Sequence, residues 1–195
     1  MNKAPFIASL AVFAATTASA NSLISAGLHE KIARSTLSAS PISEWNKLSE
    51  RGGKNIELWT LDGDELNKIT FFGGIPIGQP LFKEADKKHA PLPYVSANML
   101  ITDIPAILES TYRIQLHTMQ MSVDTQEPTT VGGHKGIKFT YSFVREDDEV
   151  ERKGEAVGAF VGDRLYIVAY EAPAIHFFDK DVEKFRQVAA SLKIQ

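Results

Sequence analysis

The chain has 195 residues, is 44% hydrophobic and 23% charged, and carries a formal net charge of −3 at pH 7. That balance excludes a disordered tail and a low-complexity or collagen-like scaffold, and it leaves no electrostatic footprint for nucleic acid or an anionic membrane surface. With no Cys in the sequence, disulfides, thiolate metal sites, a Cys nucleophile and a lipid-modified N-terminal cysteine are all excluded.

Residues 1–20 read MNKAPFIASLAVFAATTASA. Lys3 gives a short positive start. Phe6 to Ala15 carry no charge, and Ala18-Ser19-Ala20 offers the small-x-small pattern that a signal peptidase accepts. The apolar run is well short of the roughly twenty residues that a membrane-spanning helix needs. The expectation is a cleavable signal peptide over 1–20, cut after Ala20, and a single periplasmic domain over 21–195. No later segment is long and apolar enough to cross a bilayer as a helix.

Ile32 to Ser38 predicts a first strand, and Trp45 and Leu48 tuck toward the core from an irregular stretch. Arg51-Gly52-Gly53-Lys54-Asn55 is a turn signal. Ile56 to Leu61 and Leu66 to Phe72 are rich in β-formers and flank Asp62-Gly63, which predicts two neighbouring strands. Gly73, Gly74, Pro76, Gly78 and Pro80 then interrupt the pattern, so 73–97 reads as a long loop. Met99, Ile104, Ile107, Leu108 and Tyr112 recur near the helical period and predict a helix within 96–112. Thr102 or Asp103 would cap it, with Pro105 in its first turn.

The next strand is predicted over Ile114 to Val123, with His117, Met119, Met121 and Val123 on one face. A turn at Gly132-Gly133 and Gly136 leads into Ile137 to Arg145, where Ile137, Phe139, Tyr141 and Phe143 share a face. Glu146 to Glu149 form an acidic tip. Val150 to Phe160 and Arg164 to Tyr170 are strands around a Gly162-Asp163 turn. In the second of them, Leu165, Ile167 and Ala169 oppose Tyr166, Val168 and Tyr170; both faces are apolar, which predicts a central strand covered on both sides. Asp179 is expected to cap a final helix whose apolar face is Val182, Phe185, Val188, Ala189 and Leu192. Runs of strands with separated helices make this an α+β fold, a mostly antiparallel central sheet with helices packed on it.

One stretch has a familiar order. Gly133-His134-Lys135-Gly136-Ile137-Lys138-Phe139 leads to Arg152-Lys153-Gly154, Gly158-Ala159, Asp163-Arg164-Leu165-Tyr166-Ile167-Val168, Ala172-Pro173 and the terminal helix. This C-terminal third resembles the PsbP and Mog-type superfamily, including its bacterial exported members. The resemblance implies an α/β/α sandwich and a non-enzymatic accessory or binding role. Its motifs are structural, so no functional residue is carried over. The photosystem role of plant members and the GTPase binding of yeast-type members do not transfer to a periplasmic chain.

The chemistry available is sparse. His29, His89, His117, His134 and His176 form no close metal spacing. There is no G-x-S-x-G, no G-x-G-x-x-G and no P-loop. Gly132 to Gly136 resembles a phosphate loop but lacks the helix that must follow it, and reads as a hairpin turn. His117, Met119 and Met121 put an imidazole and two thioethers on one strand face, a candidate soft-metal site for copper; the competing reading is methionines that fill core gaps. Glu146 to Glu149 with Glu151 lack the glycine and spacing of a calcium loop and read as a solvated tip. Tyr166, Tyr170, His176 and Phe177 are candidates for the wall of a ligand or partner groove, with the 73–97 loop opposite, or else a hydrophobic staple at the helix entry.

The functional expectation is an exported accessory or binding protein without cofactor or catalytic residues, its partner an unknown protein or a small apolar ligand. The alternatives are copper binding, or an enzyme in which His134, His176 and acidic neighbours are the first suspects.

Overall fold

The architecture follows from β-patterned segments that are apolar on one or both faces and two helices that each carry an apolar stripe. The computed structural model describes residues 21–49, 52–146 and 148–195. The expected signal peptide lies outside these described residues. The strands are β1 (Ser22–Ile24), β2 (His29–Ile32), β3 (Leu37–Ala39), β4 (Trp45–Lys47), β5 (Ile56–Thr60), β6 (Lys68–Pro76), β7 (Thr118–Val131), β8 (His134–Arg145), β9 (Glu151–Val161), β10 (Arg164–Pro173) and β11 (Lys193–Ile194). The helices are α1 (Ile104–Gln115), entered through a one-turn 3-10 helix at Ile101–Asp103, and α2 (Phe177–Ala190).

The main sheet has the order β1-β4-β5-β6-β10-β9-β8-β7, and its neighbours pair antiparallel. A smaller sheet, β11-β3-β2, ties the C-terminus to the start of the described chain. In β10, Val168 and Tyr170 pack toward α2, where Phe185 and Val188 are buried. Ile167 and Ala169 pack on the other face with Ile107, Leu108 and Tyr112 of α1. One helix on each face of an antiparallel sheet is the α+β architecture expected from the patterning. Phe185 is fully buried, and burying a side chain of that size stabilises by about 1.5–3 kcal/mol.

Four local expectations are corrected. The segment 32–38 is two strands joined by a turn, because β2 ends at Ile32 and β3 starts at Leu37. Ile114 and Gln115 belong to α1, not to a strand: Leu116 N–H donates to the Tyr112 carbonyl at 2.9 Å, which carries the helix one turn further. His117 then takes a left-handed φ of 48° that turns the chain into β7. Gly73 and Gly74 lie inside β6, which runs to Pro76, so the loop starts later than expected. Finally, α2 begins at Phe177 behind His176, and Asp179 sits in its first turn, not at the cap.

Candidate functional site

From the end of β2 into the turn before β3 the chain takes a path that local preference opposes. Lys31, Ala33 and Arg34 have φ of 58°, 51° and 56°. The left-handed region costs a non-glycine residue about 1–2 kcal/mol, so the surroundings must hold the turn. The Ala33 N–H donates to Glu57 Oε2 at 3.2 Å. The same carboxylate accepts from Trp59 Nε1 at 2.9 Å and pairs with Lys47 Nζ at 2.8 Å. Ser35 Oγ donates to the Ile32 carbonyl at 2.7 Å and accepts from Leu37 N–H at 3.1 Å.

The turn packs directly on a bulge between β6 and β10, where the register shifts between Leu165 and Ile167. Glycine is required here twice. A Cβ on Gly73 would lie 2.5 Å from Ser35 Oγ and 2.8 Å from Ala33 Cβ. Gly74 has φ +67°, and a Cβ there would come 3.0 Å from the Tyr166 hydroxyl. Asn55 fixes the bulge: Gly73 N–H donates to its carbonyl and its Nδ2 donates back to the Gly73 carbonyl, each at 2.9 Å.

Turn and bulge enclose an open cleft of about 670 Å³. Lys31 and Arg34 reach it from the turn and Arg164 from the start of β10. All three side chains are exposed, and among the described residues none of them forms an ion pair. The neighbouring Asp163 does not neutralise Arg164. Instead, Arg164 donates one N–H to the Gly74 carbonyl at 3.2 Å, which orients the guanidinium and leaves its other donors open. Hydroxyls of Ser35, Thr36 and Tyr166 complete the wall; the last two are 3.1 Å apart and hydrogen-bonded. Three cations around one concavity, with the one uncommitted proton of the Thr36–Tyr166 hydroxyl pair, can bind a phosphate or carboxylate by charge-assisted hydrogen bonds.

The residues singled out in the sequence are distributed differently. Tyr166 lines this cleft, but Tyr170 lies about 13 Å further along the strand and is fully buried, stacked on Phe185 at 5.6 Å. Burial first, and the charge of Asp181 next, push its phenol above the ordinary range; its hydroxyl donates to the Phe177 carbonyl at 3.2 Å. His176 is exposed with φ 71° and meets Phe177 edge-on at 5.2 Å. Tyr170, His176 and Phe177 therefore gather at the start of α2, apart from Tyr166. The 73–97 segment is no opposite wall for them, because its Leu81 and Val95 pack on the α1 face of the sheet.

His117 is exposed and precedes β7, whereas Met121 is buried against α1; the Met119 side chain lies outside what is described. His134 Nε2 hydrogen-bonds the Ile194 carbonyl at 3.2 Å. Among the described residues no group of three or more His, Cys, Asp or Glu side chains is placed to hold a metal ion. Sequence reasoning missed Lys31, Arg34 and Arg164 as a set. The available signal was Gly73-Gly74 in a β pattern, which marks a bulge or a close backbone approach.

No family model matches the chain, and no curated protein matches it. Solved structures do. Cyanobacterial PsbP (CyanoP) from Synechocystis aligns over 95% of this chain and 99% of its own, with 14% identity and a TM-score of 0.52. The Saccharomyces cerevisiae Ran-binding protein Mog1p aligns over 91% and 96%, with 7% identity and a TM-score of 0.52. LpqN of Mycobacterium tuberculosis, involved in cell envelope biogenesis, aligns over 91% and 85%, with 7% identity and a TM-score of 0.33. The chain has a PsbP/Mog-like fold.

Proposed function

We propose that this protein is an exported, non-catalytic accessory protein whose basic cleft holds a small anionic ligand. The observation that carries the reading is the convergence of Lys31, Arg34 and Arg164 on one concavity that the β2–β3 turn and the β6–β10 bulge build. The strained turn, the Glu57 anchor and the two glycines support it, since strain held in place by its surroundings gathers at functional sites. The fold is compatible with binding, because one protein that has it, Mog1p, is a Ran-binding protein. The ligand is anionic because three cationic side chains, Lys31, Arg34 and Arg164, line the cleft. Export rests on the three-part pattern of residues 1–20.

Thermal denaturation across a panel of sodium phosphate, sodium citrate and ammonium chloride tests the binding. Phosphate or citrate should raise Tm saturably at fixed ionic strength, as a ligand of the native state does. The double variant Arg34→Ala/Arg164→Ala should keep its own Tm and lose that rise. A Tm indifferent to both anions contradicts the reading. For export, N-terminal sequencing of the periplasmic protein should begin at Asn21; an intact Met1 in the cytosolic fraction contradicts it.

A further inference from the structure

At the far end of β10 from the cleft, Glu171 faces the α1 side of the sheet and is 3% exposed. Its Oε1 accepts hydrogen bonds from two phenols, Tyr112 of α1 and, at 3.1 Å, Tyr141 of β8. Tyr141 reaches Glu171 across the intervening strand. In the ladder Tyr141 pairs with Gly154 of β9, and Gly154 pairs with Glu171. A Cβ on Gly154 would stand inside the Tyr141 ring, so only glycine lets the phenol cross. Burial, and then the Glu171 charge, push both phenols well above their ordinary range. Both are therefore protonated donors at neutral pH.

The other oxygen is treated differently. A buried carboxylate needs a compensating charge. Lys68, opposite Glu171 on β6, brings its Nζ to 3.9 Å from Oε2, beyond hydrogen-bond length. Among the described residues Oε2 accepts no hydrogen bond. Glu171 lines a recess of about 220 Å³, the space of about seven waters at ~30 Å³ each. Leu58, Phe82 and Leu116 give the recess carbon walls, and its charged lining is Glu171 and Asp64 against the single cation Lys68.

We propose that this recess binds a primary alkylammonium ion, independently of the anion cleft. The ligand's N–H groups donate to Glu171 Oε2 and its alkyl chain lies between Leu58, Phe82 and Leu116. Lys68, whose side chain is already partly exposed, turns its ammonium to water as the ligand takes its place. A carboxylate of the same shape is rejected, because its charge would face both Glu171 and Asp64, and the one lining cation, Lys68, already stands against Glu171.

Titration of n-butylammonium chloride into the isotopically labelled protein, followed by backbone amide shifts, tests the site. The expected result is saturable binding, with the shifts concentrated at Leu58, Lys68, Thr70 and Leu116 and none from sodium butyrate at equal ionic strength. Glu171→Gln should weaken binding at least tenfold. Leu116→Phe, which leaves the carboxylate in place and narrows the recess, should also weaken it, and it serves if Glu171→Gln does not fold. Arg34→Ala/Arg164→Ala should leave the butylammonium affinity unchanged, so loss of anion binding and loss of amine binding are separable. Butyrate shifting the same amides, shifts scattered over the surface, or undiminished binding by Leu116→Phe would overturn the proposal.

Discussion

Arg164 and Glu171 stand on the same strand, about 23 Å apart, and the fold treats their charges in opposite ways. Around Glu171, α1, the adjacent strand β6 and, across β9, strand β8 bring two phenols and a lysine to one carboxylate and shut most of the water out. Around Arg164, the chain supplies a carbonyl, three hydroxyls and two further cations, and among the described residues that line the cleft there is no acid. An exposed cation loses little by standing alone, since surface ion pairs are worth only about 0–1 kcal/mol. Lack of a partner is therefore not what distinguishes the open end. The distinction is that a backbone with three left-handed non-glycine residues is held, by a buried carboxylate, where it brings those cations to one concavity.

The largest effect should come from removing the support that both ends share. Phe185→Asp places a charge in the apolar layer between α2 and β10, and burial of an unpaired charge belongs to the mechanisms that cost more than about 4 kcal/mol. Circular dichroism should show no cooperative melt; a melt near the wild-type temperature breaks the assignment of that face. Gly154→Val addresses the closed end alone. It drives Tyr141 off Glu171 and should cost about 1–3 kcal/mol in urea denaturation, while phosphate affinity stays at the wild-type value. Equal loss at both ends would show that they are not separate.

Glu57→Gln addresses the open end alone. It removes the charge that pairs with Lys47 and weakens the hold on the Ala33 amide. Stability should fall by about 1–2 kcal/mol, and phosphate affinity severalfold, with the alkylammonium affinity unaffected. The smallest effect is a pH dependence that belongs to neither end. The Lys180 ammonium hydrogen-bonded to Asp62, with Asn67 beside it, holds that carboxyl below the usual carboxylate range. A carboxyl depressed on folding stabilises fully above its unfolded pKa of about 3.9 and loses that contribution as pH falls through the folded value. Lys180→Met should flatten the acid limb of the stability curve; an unchanged limb removes Asp62 from the account.

Much of the scaffold was legible because its signals are periodic. The alternation of Leu165, Ile167 and Ala169 against Tyr166, Val168 and Tyr170 assigns the two faces of β10 correctly, since a strand cannot hide that period. The α2 stripe of Val182, Phe185 and Val188 is equally plain. The start of β7 was not legible. Ile114 suits a strand by composition, and nothing local records that the helix continues until His117 turns the chain.

The cleft was less legible still. Its residues come from positions 31–36, 55, 74 and 164–166, which only pairing of β6 with β10 and packing of the β2–β3 turn bring together. Three non-glycine residues in left-handed conformation carry no propensity signal, because tertiary hydrogen bonds impose the geometry. The Glu171 recess hides for the same reason: Tyr112, Tyr141, Gly154 and Glu171 are remote in sequence and meet only through strand register.

Isothermal calorimetry of inorganic phosphate binding to the wild-type protein and to Lys31→Ala/Arg34→Ala/Arg164→Ala, at low and at physiological salt, addresses the cationic cleft itself. One phosphate should bind per chain, more weakly as salt screens the three cations, and the triple variant should show no heat of binding while melting at the wild-type temperature. Binding of equal strength in the folded triple variant, or a wild-type protein that takes up no anion at low salt, would contradict the assignment.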